Sequence, residues 1–150
     1  MEEIKIEHKT SPVKRILYTG KTRTIGGRDG GSSVSSDGQL NITLTSPGTS
    51  REGTNPEQLF AAGWSACFIG AMKLAAASSK VQFPVNAAVN AEVDLVLSDG
   101  QYSLQARLYI SLPGLHNDAA QALVKAAHNT CPYSKATRGN IDVDITVSTE

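Results

Sequence analysis

Residues Glu57 to Leu74 read EQLFAAGWSACFIGAMKL, and the fold turns on how that run is placed. Its apolar residues recur around the whole helical circumference, not along one stripe. That pattern belongs to a helix surrounded by protein, not one laid on a surface. Thr54-Asn55-Pro56-Glu57 supplies the start. Asn55 can cap, and Pro56 at the first helical position sacrifices no hydrogen bond. Thr54 with Glu57 fits a capping box equally well, and the sequence does not choose between the two. The helix is predicted to run to about Ser78. Near its middle sits Cys67, which in such company reads first as a small, inert hydrophobe.

Outward from this helix the signals are mostly those of strands. SVSSDGQLNITLTSP reads as a hairpin turning at Asp37-Gly38, with Leu40, Ile42 and Leu44 alternating behind it. Upstream, KRILYTGKTRT continues as a strand, Ile4, Ile6 and His8 alternate as in an edge strand, and IGGRDGGSS is a glycine-rich loop. GTSREG reads as a mobile connector. Downstream, Asp99-Gly100 joins two long strands, marked by Val89, Ala91, Val93 and Leu95 and then by Leu104, Ala106, Leu108 and Ile110. HNDAAQALVKAAHNT is a second helix, capped by Asn117 or Asp118 and ending short of Cys131-Pro132. IDVDITVS closes the chain as a strand. Strands and helices are segregated, so the expectation is one α+β domain over residues 1–150, mainly antiparallel, with a buried central helix.

Composition narrows the function. The chain is 40% hydrophobic, and its fourteen basic residues match fourteen acidic ones. No field is expected to draw in nucleic acid or an anionic membrane. No stretch is expected to span a bilayer, and the charged N-terminus lacks the apolar segment of a secretory signal. The expected setting is cytoplasmic, where a disulfide tends to be catalytic or sensory. Cys67 and Cys131 are the two cysteines. Their spacing is neither a CxxC motif nor a zinc ribbon, and a closed zinc site would need more ligands, so no metal is expected.

A reactive Cys67 must be a thiolate, which calls for a nearby cation. Lys73, on its own helix, lies at a poor angular offset. Arg28, in the GGRDG loop, can bring a permanently charged guanidinium, though it can equally decorate a turn beside Asp29. Glu57 suits the first turn of the helix through the macrodipole alone, yet can also hold Arg28 in a bidentate pair. Ten residues put Glu57 about 15 Å from Cys67 along one helix. Two copies crossing antiparallel near Ala62 and Gly63 would bring Glu57 of one chain close to Cys67 of the other. Ala61, Ala62, Gly63, Ala66 and Gly70 would permit that approach. Cys131, before Pro132, reads as a thiol at a movable helix-to-loop junction, which suits a resolving cysteine. His128, three residues earlier, is expected at the surface. A Cys–His hydrolase has only His8, His116 and His128 to draw on and is disfavoured.

GGRDG, NPEQLFAAGWSACF, ISLPGL and CPYSKATRGNIDV together resemble the organic hydroperoxide resistance branch of the Ohr/OsmC family, from about Leu17 to the C-terminus. The resemblance implies an intertwined homodimer acting as a thiol peroxidase. It matches Cys67 to the peroxidatic cysteine and Cys131 to the resolving one. It matches Arg28 to the activating arginine and Glu57 to the carboxylate that holds it. It implies organic hydroperoxide substrates, no bound cofactor, and recycling of the disulfide by an external dithiol of the lipoyl type. Leu59, Phe60 and Phe68 would then form an apolar substrate pocket. Trp64 stands where relatives usually carry tyrosine, and residues 1–16 extend beyond the usual family start. The rival expectations are a thiol-based redox sensor or binding protein, and a structural dimer with inert cysteines.

Overall fold

The computed structural model describes residues 14–150 together with Ile4. Its elements in chain order are β1 (Thr22–Ile25), β2 (Ser32–Ser35), β3 (Asn41–Thr43), α1 (Pro56–Ser78), β4 (Ala88–Ser98), β5 (Gln101–Ser111), α2 (Asn117–Thr130), α3 (Pro132–Thr137) and β6 (Asp142–Ser148). They form an α+β fold with two three-stranded sheets, β1-β2-β3 and β4-β5-β6. Three of the four strand pairings are antiparallel. The fourth, β5 with β6, is parallel. The connection between those strands carries both short helices, the kind of crossover a parallel return requires.

The start of α1 is set by Asn55, whose side chain accepts from the Gln58 backbone N–H at 2.9 Å. Thr54 instead donates to the Gln58 side chain, so the capping box is not formed. The inward face of α1 places Trp64, Phe68 and Met72 against Leu108, Ile110 and Leu112, with Ala120, Val124 and Ala127 of α2 on the other side. The alternating residues of β5 are buried as their spacing predicts: Ala106, Leu108 and Ile110 face this core.

Several expectations are corrected. The proposed strand at Ile4, Ile6 and His8 lies outside the described residues. The strand read through KRILYTGKTRT is confined to Thr22–Ile25, because β2 offers partners only from Ser32 to Ser35. Ile16, Leu17 and Tyr18 are exposed and outside any strand. Helix α2 is preceded by His116 in extended backbone, with no side-chain cap, and Asn117 is already helical. Pro132 does not open a loop: it is the first residue of α3.

Two corrections concern α1 itself. With 23 residues it is, by length and composition, long and apolar enough to cross a bilayer, contrary to the sequence reading. It is also not surrounded by its own chain. Trp64, Phe68, Ala71, Met72 and Ala76 are buried, but Ala62, Ala66, Gly70 and Leu74 are exposed. At i, i+4 spacing these make one continuous face.

The sheet of β1-β2-β3 shapes the loop that carries Arg28. Gly26, Gly27 and Gly30 hold positive φ values of 72°, 69° and 92°, which glycine adopts without steric cost. Gly31 fills a different need. A Cβ there would lie 2.2 Å from the Ile25 carbonyl oxygen and 2.3 Å from that of Gly27. Gly31→Ala is therefore expected to displace the loop and to destabilise the fold by about 2 kcal/mol. Thermal melting of the variant checks this, and an unchanged melting temperature would show that the loop yields freely.

Candidate functional site

Four residues singled out in the sequence fall into two pairs, and both pairs are anchored on α1. Backbone pairing builds the first. Gly30 N–H donates to the Leu44 carbonyl at 2.9 Å, and Leu44 N–H to the Gly31 carbonyl at 2.8 Å. Leu44 bridges in parallel to Thr54, immediately before the helix. The Arg28 loop and the first turn of α1 are thus tied to the same short strand. Arg28 Nη1 donates to Glu57 Oε1 at 3.1 Å and Nη2 to Oε2 at 2.9 Å, a bidentate pair. Glu57 is the more enclosed partner, its side chain 14% exposed against 37% for Arg28. A cleft of about 340 Å³ opens beside the pair, lined by Arg28, Glu57, Ala61, Ala91, Val93 and Leu95.

The second pair is Cys67 and Cys131. Both are free thiols, Cys67 partly buried and Cys131 fully so. Cys67 packs against the buried cluster that includes Cys131, and the Tyr133 backbone N–H lies among the groups that influence its sulfur. Burial, then the neighbouring Cys131, raise the Cys67 pKa above the ordinary thiol value, while the Tyr133 N–H pulls the other way. A single copy therefore holds Cys67 as a neutral thiol. Ten residues of helix, about 15 Å, separate it from the Arg28–Glu57 pair.

Cys131 does not occupy the movable junction the sequence suggested. It joins α2 to α3, its N–H donating to Ala127 at 2.7 Å and its carbonyl accepting from Lys135 at 2.9 Å. Gly63, expected at a crossing between two copies, is covered from within its own chain. A Cβ there would lie 3.0 Å from the Tyr133 hydroxyl. Of the residues expected to line a substrate pocket, Leu59 and Phe60 are half-buried, but Phe68 is fully enclosed in the core. None of the three lines the cleft beside Arg28. His128 is half-buried, not on the surface, with Nδ1 enclosed and unpartnered.

Sequence reasoning missed two contributors on α3. The Tyr133 backbone N–H acts to lower the Cys67 pKa, and the Tyr133 ring meets Phe60 edge-on at 6.0 Å. Ser134 accepts from the Trp64 indole N–H at 3.1 Å, both side chains fully buried. The signal for the latter was the lone tryptophan in a buried helix, whose N–H needs a partner. Nothing in the sequence pointed to a serine seventy positions away.

The chain is similar to known proteins over most of its length. The model of the OsmC-like protein family matches residues 47–146. An organic hydroperoxide resistance protein of Xanthomonas axonopodis pv. citri (strain 306) is 45% identical over 139 residues, 90% of this chain and 97% of that protein. The crystal structure of the organic hydroperoxide resistance protein OhrB of Bacillus subtilis is 39% identical with a TM-score of 0.83, covering 89% of this chain and 100% of that one. That of an organic hydroperoxide resistance protein from Elizabethkingia anophelis, with thiocyanate bound, is 39% identical with a TM-score of 0.83, covering 91% of this chain and 100% of that one.

The Arg28 bond lowers the Glu57 pKa below its ordinary 4.5, with burial opposing. Because the folded carboxyl is the more acidic, the pair's stabilising effect is fully present above about pH 4.5 and is lost as pH falls through the lowered value. The stability difference between wild type and Glu57→Gln, from denaturant titrations across pH, should hold constant near neutrality and shrink only in that acid range. A difference that fades well above it would mean the pair is not formed in solution.

Proposed function

Because this chain belongs to the OsmC-like family, in its organic hydroperoxide resistance branch, we propose that it is a cysteine-based thiol peroxidase acting on organic hydroperoxides. The observation that carries the reading is that Cys67, on the helix that also holds Glu57 and through it Arg28, packs against the core cluster that contains Cys131. The Cys67 thiolate attacks one oxygen of the O–O bond of ROOH. That bond breaks heterolytically, the leaving alkoxide takes a proton and departs as ROH, and Cys67 becomes a sulfenic acid. Cys131 displaces the hydroxyl, releasing water and forming a disulfide. A dithiol reduces the disulfide through a mixed disulfide, supplying two electrons and two protons and becoming oxidised itself. A lipoyl-type dithiol suits the reading, as does a cytoplasmic setting.

The thiolate needs a positive charge, and none of the described residues places one beside it. A homodimer meets that need. Two α1 helices crossing antiparallel through the exposed face of Ala62, Ala66 and Gly70 would carry the Arg28–Glu57 pair of one copy toward Cys67 of the other. The small side chains favour close backbone approach, and crossing there would cover the apolar surface that one chain leaves open. The peroxide would then lie in the cleft beside Arg28, whose Ala91, Val93 and Leu95 wall suits an alkyl or fatty-acyl chain. Phe60, with Leu59 next to it, would contribute from the Cys67 side.

Steady-state turnover of an alkyl hydroperoxide with dihydrolipoamide tests the reading. Wild type should turn over rapidly and prefer the organic peroxide to hydrogen peroxide, Cys67→Ser should be inactive, and Arg28→Ala should lose about two orders of magnitude or more. Stoichiometric oxidation without turnover would instead favour the redox sensor, and an unreactive Cys67 would leave a structural dimer. Ala66→Glu should yield a monomer by sedimentation and abolish turnover. A fully active monomer would refute the two-copy site.

A further inference from the structure

Cys131 cannot reach Cys67 by swinging. Its side chain is enclosed, and its peptide groups are bonded into α2 on one side and α3 on the other. Its distance from Cys67 is therefore set by where the α2–α3 junction rests against α1. Helix α3 has only six residues, too few to hold a position by its own helicity. What seats it on α1 is a small set of contacts. The Phe60 and Tyr133 rings meet edge-on at 6.0 Å, Phe60 meets Trp64 at 5.7 Å, and Tyr133 lies over the bare backbone of Gly63. Trp64 Nε1–H donates to Ser134 Oγ at 3.1 Å. Among the described residues this is the only nitrogen-to-oxygen hydrogen bond joining the two helices, and Ser134 lies three residues beyond Cys131. Ring contacts tolerate sliding, whereas a buried hydrogen bond does not, because each partner is left unsatisfied when it breaks.

We propose that Trp64 and Ser134 are positioning residues for disulfide closure: their buried hydrogen bond pins α3 to α1 and so fixes the reach of Cys131 to Cys67. The proposal rests on the thiol reading above, and it separates the two halves of the oxidation. Loss of the pin should leave the first attack on peroxide nearly intact and slow the condensation that expels water and forms the S–S bond. The disulfide demands a Cα separation of about 4.4–6.8 Å and a narrow dihedral range. A displacement of about 1 Å at a reacting centre can cost two orders of magnitude.

The experiment follows one equivalent of an alkyl hydroperoxide through wild type, Trp64→Phe, Ser134→Ala and the double variant. It records sulfenic acid by dimedone trapping, disulfide by mass, and melting temperature. Each single variant leaves one buried polar atom orphaned and should melt lower. The double variant removes both partners and should recover much of that loss. All three should close the disulfide at least about tenfold more slowly than wild type and accumulate trapped sulfenic acid. A purely structural role predicts instead that closure recovers along with melting temperature in the double variant. That result, or wild-type closure in the singles, would overturn the proposal. The same comparison with oxidised lipoamide, which forms a mixed disulfide at Cys67 that Cys131 then resolves, needs no peroxide. If wild type ignores peroxide yet closes by this route in a Trp64-dependent way, the peroxidase reading fails and the pin stands.

Discussion

Burial holds the Cys67 thiol neutral, and the guanidinium best placed to ionise it is fixed to a carboxylate on the same helix, ten residues away. An α-helix is stiff over that distance, so no rearrangement within one chain brings the charge to the sulfur. The rest of the site follows from this separation. Glu57 both sits in the first turn, at the positive end of α1, and orients Arg28, which makes the pair a pre-aimed unit rather than a flexible arm. Such a unit can serve a thiol on a second copy as effectively as one on its own chain, provided the approach is always the same. A crossing between identical helices, as proposed, would supply that constancy, because symmetry repeats one contact geometry at both ends.

The two thiols solve a different problem. Disulfide formation would require closeness above all, and both sulfurs come from one chain. Cys67 lies on the long helix and Cys131 at a joint between two shorter ones, with the Tyr133 backbone N–H at the beginning of α3 among the groups that influence the Cys67 thiol. That donor opposes the effect of burial but does not overcome it. The local surroundings of Cys67 thus leave its thiolate disfavoured, and stabilising a thiolate there would require a full positive charge.

Much of this was legible in the residues, for reasons that can be named. The start of α1 was readable because Asn55-Pro56 has few other uses, and Asp37-Gly38 and Asp99-Gly100 announced two of the three antiparallel pairings. Pro132 misled because proline ends one helix and starts another with equal ease; only packing against α1 decides that α3 forms. The parallel pairing of β6 was hidden because alternation reports which face is buried, not the direction of the neighbour. The pairing of Trp64 with Ser134 was hidden by sequence distance. So was the covering of Gly63 by Tyr133, since a glycine in a helix announces a close approach without saying what approaches.

The all-round apolar character of α1 was read as a single statement, burial, but it contains two. Toward its own core the helix presents Trp64, Phe68 and Met72, large residues that interdigitate with strand and helix neighbours. On the open side it presents Ala62, Ala66 and Gly70, which fill little space and leave the backbone accessible. Large side chains are suited to gaps of irregular shape between unlike elements, whereas small ones are suited to a neighbour that comes close along its length. A periodicity measure weighs alanine and phenylalanine as alike in being apolar and so sees no face at all. Sorting the same residues by volume recovers the division, with the partly buried Cys67 between the face committed to its own chain and the face left open.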